Sequence, residues 1–286
     1  MRKQIAALFL ILLSAAIASA GQQGQRAQKE VVVFGQKVRY VEAGSGPTVI
    51  LLHGLGGSSD SWTFNLGPLA EQFHVVVPDQ IGFGKSDKPV INYRVRTYVD
   101  FLDEFCRQLK IERATLVGHS MGGWIAAAFT IAFPEKIERL VMVDAAGYAP
   151  PANFDYKSLY GLNPSTREGM KQLATRVFFN KAFTTDAMID QLLAQRMSAG
   201  DGYTINSLIE SVGRREDFLD GQLNKIKVPT LIVWGQQDGL VLVTEGVRLK
   251  NDIPHARYAV FDGCGHFPQV EKAGEFNALV LGFLKQ

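Results

Sequence analysis

The sequence predicts an α/β fold: a mostly parallel sheet with helices on both faces and a helical cap inserted late in the chain. Three observations carry that expectation. Short runs made almost wholly of apolar residues recur along the chain, as strands buried on both faces require. Between them lie longer stretches whose apolar residues recur near a 3.6 period. One region, residues 147–222, has helix-like patterns and no convincing buried strand.

The chain opens on a different signal. Arg2 and Lys3 precede an apolar run over residues 5–17, and Ala18-Ser19-Ala20 follows. A basic start, a short apolar stretch and a small-x-small triplet predict a secretory leader over residues 1–20, cut after Ala20. The mature protein is then periplasmic or extracellular. The run is short for a membrane span, so no stable membrane insertion is expected after cleavage; an uncleaved anchor is the alternative. Residues 21–29 are polar and Gln-rich, and are expected to form a disordered lead-in.

The core is expected over residues 30–146 and 223–286. Val31-Val32-Val33 and Val38-Arg39-Tyr40-Val41 flank Gly35 and read as an opening hairpin. Thr48-Val49-Ile50-Leu51-Leu52, Val75-Val76-Val77, Ala114-Thr115-Leu116-Val117 and Leu140-Val141-Met142-Val143 read as buried strands. Thr230-Leu231-Ile232-Val233-Trp234 and Tyr258-Ala259-Val260-Phe261 continue the series. Helices are expected over residues 95–111, 121–133 and 276–284. The middle one is apolar nearly all round, as a helix packed deep against a sheet should be. The cap is rich in aromatics and methionines, which can line a pocket or pack the cap on the core.

Composition narrows the class. The chain has 286 residues, 47% hydrophobic and 20% charged, which suits one large globular domain. The leader holds two of the 30 basic residues and none of the 28 acidic ones, so the remainder is balanced. That balance gives no argument for a nucleic-acid or anionic-membrane partner. The two cysteines, Cys106 and Cys264, leave open a disulfide or free thiols; the apolar position of Cys106 in a helix favours a buried thiol. The five histidines and two cysteines show no zinc spacing.

Gly118-His119-Ser120-Met121-Gly122 places a serine between a strand and a helix. This is the context of a nucleophile elbow, where a sharp turn exposes the hydroxyl and flanking glycines keep side chains out. Ser120 is the candidate nucleophile. A serine needs a base, and Gly263-Cys264-Gly265-His266 offers His266 on a glycine-rich loop late in the chain. The base needs an anionic partner to fix its tautomer. Asp238, just past a strand in Gly235-Gln236-Gln237-Asp238-Gly239, is the favoured acid, and Asp144, just past the strand 140–143, is its competitor. An oxyanion needs N–H donors. The candidates are the backbone N–H groups of Met121, after the serine, and of Leu55, in the turn His53-Gly54-Leu55-Gly56-Gly57. His119 is expected to be structural or pocket-lining, and His74 and His255 ordinary surface or core residues.

Together with Asp79-Gln80-Ile81-Gly82-Phe83-Gly84-Lys85-Ser86, read as a structural turn, these stations resemble the α/β-hydrolase family in its capped branch. The resemblance covers about residues 31–284. It implies an eight-stranded sheet, a cap over the pocket, and no metal or organic cofactor. It also implies acyl transfer to Ser120 followed by hydrolysis, with a carboxylic ester of small or medium size as the expected substrate. The run Gly265-His266-Phe267-Pro268-Gln269-Val270-Glu271 is similar to hydrolases that cleave carbon–carbon bonds of ring-fission products. Those enzymes usually carry Asn before the nucleophile and Trp after the base, where this chain has His119 and Phe267. The alternatives are therefore carbon–carbon hydrolysis, or ligand binding without turnover on the same scaffold.

Overall fold

The computed structural model describes residues 27–286. The expected leader and residues 21–26 of the lead-in lie outside the described residues. Residues 27–29 do not belong to a lead-in: they form the start of the first strand, β1 (Ala27–Val33), paired antiparallel with β2 (Gln36–Ala43). The local sequence is polar because the strand is mostly exposed at the sheet edge, and the pairing comes from its partner. Phe34 and Gly35 both take positive φ, 48° and 78°, as a two-residue hairpin turn requires.

The remaining strands are β3 (Thr48–Leu52), β4 (His74–Pro78), β5 (Ala114–His119), β6 (Ile137–Val143), β7 (Thr230–Gly235) and β8 (Arg257–Phe261). Among the described residues they form one eight-stranded sheet in the order β1-β2-β4-β3-β5-β6-β7-β8. β2 runs antiparallel to both its neighbours, and every pair from β4 to β8 is parallel. The helices are α1 (Thr63–Ala70), α2 (Val95–Gln108), α3 (Met121–Ala132), α4 (Arg167–Val177), α5 (Asp186–Ala199), α6 (Gly202–Gly213), α7 (Val243–Asp252), α8 (Pro268–Glu271) and α9 (Ala273–Leu284).

The period-2 alternation of the strands builds two cores. On one face Ile50, Leu52, Leu116, Met142, Ile232 and Trp234 pack against α2 and α3. On the other, Val49, Leu51, Val117, Val141 and Val233 pack against α1 and α9. Each fully buried aliphatic side chain contributes about 1.5–3 kcal/mol relative to exposure. None of the described helices is long and apolar enough to cross a membrane.

Between β6 and β7 the insertion is helical, and it is not one layer. α6 sends Ile205, Leu208 and Ile209 into the main core. α4 and α5 make a small core of their own from Met170, Ala174 and Ile189. Three of the aromatics there brace the structure. Tyr148 bonds Asp252 and lies under the Arg248 guanidinium, and Tyr156 and Tyr160 bond Glu210. Both cysteines are buried free thiols.

Trp234 joins the fold to the loop beyond β7: it is fully buried, and its indole N–H donates to the Val241 carbonyl at 2.9 Å. Trp234→Ala should therefore lower stability by about 3–5 kcal/mol, read as a shifted midpoint in urea unfolding. A loss below about 1 kcal/mol would contradict this packing.

Candidate active site

Ser120 stands between β5 and α3 with φ 54° and ψ −118°, a strained conformation for a side-chain-bearing residue. Its backbone leaves no choice. The Ser120 N–H donates to Val143 O at 2.8 Å, and its carbonyl accepts from the N–H groups of Gly123, Trp124 and Ala146. The neighbouring glycines are obligatory. A Cβ on Gly118 would lie 2.2 Å from the Gly122 carbonyl oxygen, and one on Gly122 would lie 2.3 Å from that of Leu52. Close packing of α3 on β3 and β5 thus forces the turn that presents the serine, and the helix N-terminus follows at once with Met121.

The loops after β3 and β5 emerge side by side because Leu52 pairs with Gly118. A Cβ on Gly54 would come within 3.1 Å of the Ser120 Cβ. The Gly54 carbonyl accepts from Gly57 N–H at 3.1 Å and from His53 Nδ1–H at 2.8 Å. That carbonyl belongs to the trans peptide whose N–H is Leu55's, so fixing the one aims the other the opposite way. His53 is held in this tautomer by Gln80, whose N–H donates to Nε2 at 3.0 Å. Complete burial depresses the His53 pKa and keeps the ring neutral. Sequence reasoning placed His53 only in a turn motif; its bonds to the loop were invisible there.

Asp238 and His266 come from the loops after β7 and β8, which stay zipped beyond the strands. Gln236 N–H donates to Phe261 O at 3.0 Å and Gln237 N–H to Cys264 O at 2.9 Å. The Gln237 side chain accepts from Cys264 N–H and donates to Asp262. This brings His266 Nδ1 to 2.6 Å from Asp238 Oδ2, with both residues buried. A carboxylate only accepts, so in the neutral ring Nδ1 carries the proton and Nε2 the lone pair. Burial pushes the Asp238 carboxyl up. The His266 ring and the N–H groups of Leu240 and Val241 outweigh it and hold the pKa below the usual range.

Asp144, the competing acid, lies beside the pair without taking the histidine. Its Oδ1 accepts from Gly235 N–H at 2.9 Å. Burial first, and the Asp238 charge second, push the Asp144 carboxyl well above its ordinary range. The side chains of Asp144, Asp238 and His266 offer ligand atoms within 4.8 Å of one another, the one such group among the described residues. Asp144 Oδ1, both carboxylate oxygens of Asp238 and His266 Nδ1 are already engaged in the bonds just described.

His119 packs its ring against His266 at 4.8 Å and Phe267 at 4.7 Å between centroids. Its Nε2–H donates to the His266 carbonyl at 2.7 Å. The His119 pKa is lowered to about 3, by burial first and by the His266 ring next. Phe267 in turn stacks on Phe178 at the end of α4. The turn 79–86 is a brace: Asp79 accepts from the N–H groups of Ser59 and Lys85, and Ser86 Oγ donates to the Asp79 carbonyl.

A sequence profile described as alpha/beta hydrolase fold matches residues 47–273. The chain belongs to the α/β-hydrolase family. A 2-hydroxy-6-oxononadienedioate/2-hydroxy-6-oxononatrienedioate hydrolase of Paraburkholderia phymatum is 34% identical, over 87% of this chain and 91% of that one. The structure of a meta-cleavage product hydrolase from Pseudomonas fluorescens IP01 is similar with TM-score 0.82 and 28% identity, over 90% of this chain and 97% of that one. A membrane phospholipase A, described as a bacterial virulence factor, is similar with TM-score 0.80 and 28% identity, over 100% of this chain and 98% of that one. The chain is thus a hydrolase by family and fold, and its relatives include hydrolases of meta-cleavage products.

The buried, neutral His119 has a thermodynamic signature. In the unfolded chain it takes a proton below about 6.5, whereas in the folded state it waits until about 3. The unfolded state then binds more protons, so stability falls as pH drops through that window. His119→Gln should make the slope of unfolding free energy against pH, between about pH 6 and 4, shallower by roughly 1.4 kcal/mol per unit. Urea titrations at a series of pH values measure it; an unchanged slope would contradict a neutral His119.

Proposed function

We propose that this chain is a serine hydrolase of carboxylic esters, with Ser120 as nucleophile, His266 as base and Asp238 as the acid that orients it. The observation that carries the reading is the 2.6 Å bond from His266 Nδ1 to Asp238, in a chain whose strained elbow carries Ser120. His266 Nε2 takes the Ser120 proton as Oγ attacks the ester carbonyl carbon. The tetrahedral oxyanion accepts hydrogen bonds from the N–H groups of Leu55 and Met121. Collapse expels the alcohol, which leaves with the proton from Nε2, and an acyl group remains on Oγ. Water then gives a proton to Nε2 as it attacks the acyl carbon; collapse releases the acid, and the departing Ser120 Oγ takes the proton back from Nε2. No step calls for a metal or organic cofactor.

Two features support ester over carbon–carbon cleavage. The positions that carry Asn and Trp in the ring-fission hydrolases hold His119 and Phe267, which fill the space beside His266 with a locked aromatic stack. The cap arginines are also committed. Arg167 pairs with Asp186 and Asp190, and Arg176 with the Gly239 carbonyl. Arg196 reaches the Gly56 carbonyl at 3.3 Å, yet its charge faces Asp201 at 2.8 Å. The phospholipase relative adds weight to an ester with an apolar acyl chain.

Carbon–carbon hydrolysis is the second reading. It is favoured by the meta-cleavage relatives and by Arg196, a cation next to the Leu55 loop. Export to a periplasm or beyond, expected from the leader, would bring the site to envelope or environmental esters.

Turnover of a chain-length series of p-nitrophenyl esters tests the proposal. Ser120→Ala should lower kcat by about six orders of magnitude. Inert esters beside steady hydrolysis of a vinylogous ring-fission ketone would replace the first reading with the second.

A further inference from the structure

The cap segment that follows α4 is tied to both loops of the proposed acid–base pair. The Val177 carbonyl accepts from the His266 N–H at 2.7 Å. Arg176 Nε donates to Gly239 O at 2.8 Å, next to Asp238. Both approaches depend on missing side chains. A Cβ on Gly265 would lie 2.4 Å from Val177 O and 2.8 Å from Phe179 N, and one on Gly239 would lie 2.6 Å from Arg176 O.

One side chain closes the junction. Glu271 Oε1 accepts from Gly265 N–H at 2.9 Å, in the loop that carries His266. Glu271 Oε2 accepts from Phe179 N–H at 3.0 Å and Asn180 N–H at 2.7 Å, in the cap. Three backbone donors from two separate parts of the chain thus meet one carboxylate. Charge-assisted bonds of this kind are about twice as strong as neutral ones.

We infer that Glu271 is a positioning residue that couples the seating of the cap to the placement of His266. It never meets substrate; it holds the peptide before His266 and the cap segment beside it in one register. His266 then sits between fixed supports: Val177 on its N–H, His119 on its carbonyl and Asp238 on its ring. A small shift of a base away from its nucleophile is costly to rate and cheap to binding. This inference rests on the proposed role of His266.

Glu271→Gln separates the two halves of the junction. An amide has one acceptor oxygen, so either Gly265 or the Phe179–Asn180 pair must face an NH2 group. A second variant, Asn180→Pro, deletes a cap donor without touching the His266 loop; Asn180 has φ −72°, which proline adopts. Active sites are titrated with a fluorophosphonate that labels Ser120, and kcat and KM for a p-nitrophenyl ester are taken per labelled site. Glu271→Gln should lower kcat by about tenfold or more, with KM nearly unchanged. Asn180→Pro should move kcat in the same direction by less, and decides the matter if the glutamine variant does not fold. A merely structural role would reduce only the labelled fraction, and kcat per site equal to wild type in the folded variants overturns the inference. Wild type that neither labels nor turns over overturns the reading of Ser120, and this inference with it.

Discussion

The backbone of Ser120 is the constraint on which the site depends. A positive φ on a serine is unfavourable by itself, by roughly 1–3 kcal/mol. It persists because four backbone hydrogen bonds hold the residue and because α3 lies too close to β3 and β5 for any other turn. The parallel register of β3, β5, β6 and β7 then sets everything around it. Neighbouring strands end together, so the loop of Gly54, the elbow of Ser120 and the loops of Asp144 and Asp238 gather at one edge of the sheet.

Electrostatics at that edge follow from burial. His53 and His119 are kept neutral, and each spends its one N–H on a backbone carbonyl, Gly54 O and His266 O respectively. Burial and the Asp238 charge raise the Asp144 carboxyl well above its ordinary range, while Asp238 beside it is held below its own. Two like charges packed that closely could not both ionise cheaply. Of the two, Asp238 is the carboxyl that meets the ring of His266, where a carboxylate stabilises an imidazolium.

Much of this was legible in the sequence for a physical reason. Strands buried on both faces must be apolar throughout, so 48–52, 114–117 and 230–234 stood out. Gly118 and Gly122, on either side of Ser120, stand out because only glycine fits where backbones approach within contact distance. The sequence favours Asp238 over Asp144, but it does not display the zipper of Gln236, Gln237 and Cys264 between two loops that brings Asp238 to His266. Residues 27–29 were misread because an edge strand can be polar. The supports of His266 were hidden, because Val177 acts through a carbonyl and Glu271 through backbone N–H groups. A backbone partner leaves no residue type for a sequence to display.

The central claim is a covalent one: the acyl group passes through Ser120. Its most direct test is mass spectrometry of protein quenched in acid during steady turnover of a p-nitrophenyl ester, followed by peptide mapping. The account predicts the acyl mass on Ser120, in the peptide that spans the elbow. Steady hydrolysis with Ser120 unmodified, when the same method does trap the acyl group on a known serine esterase, would contradict it.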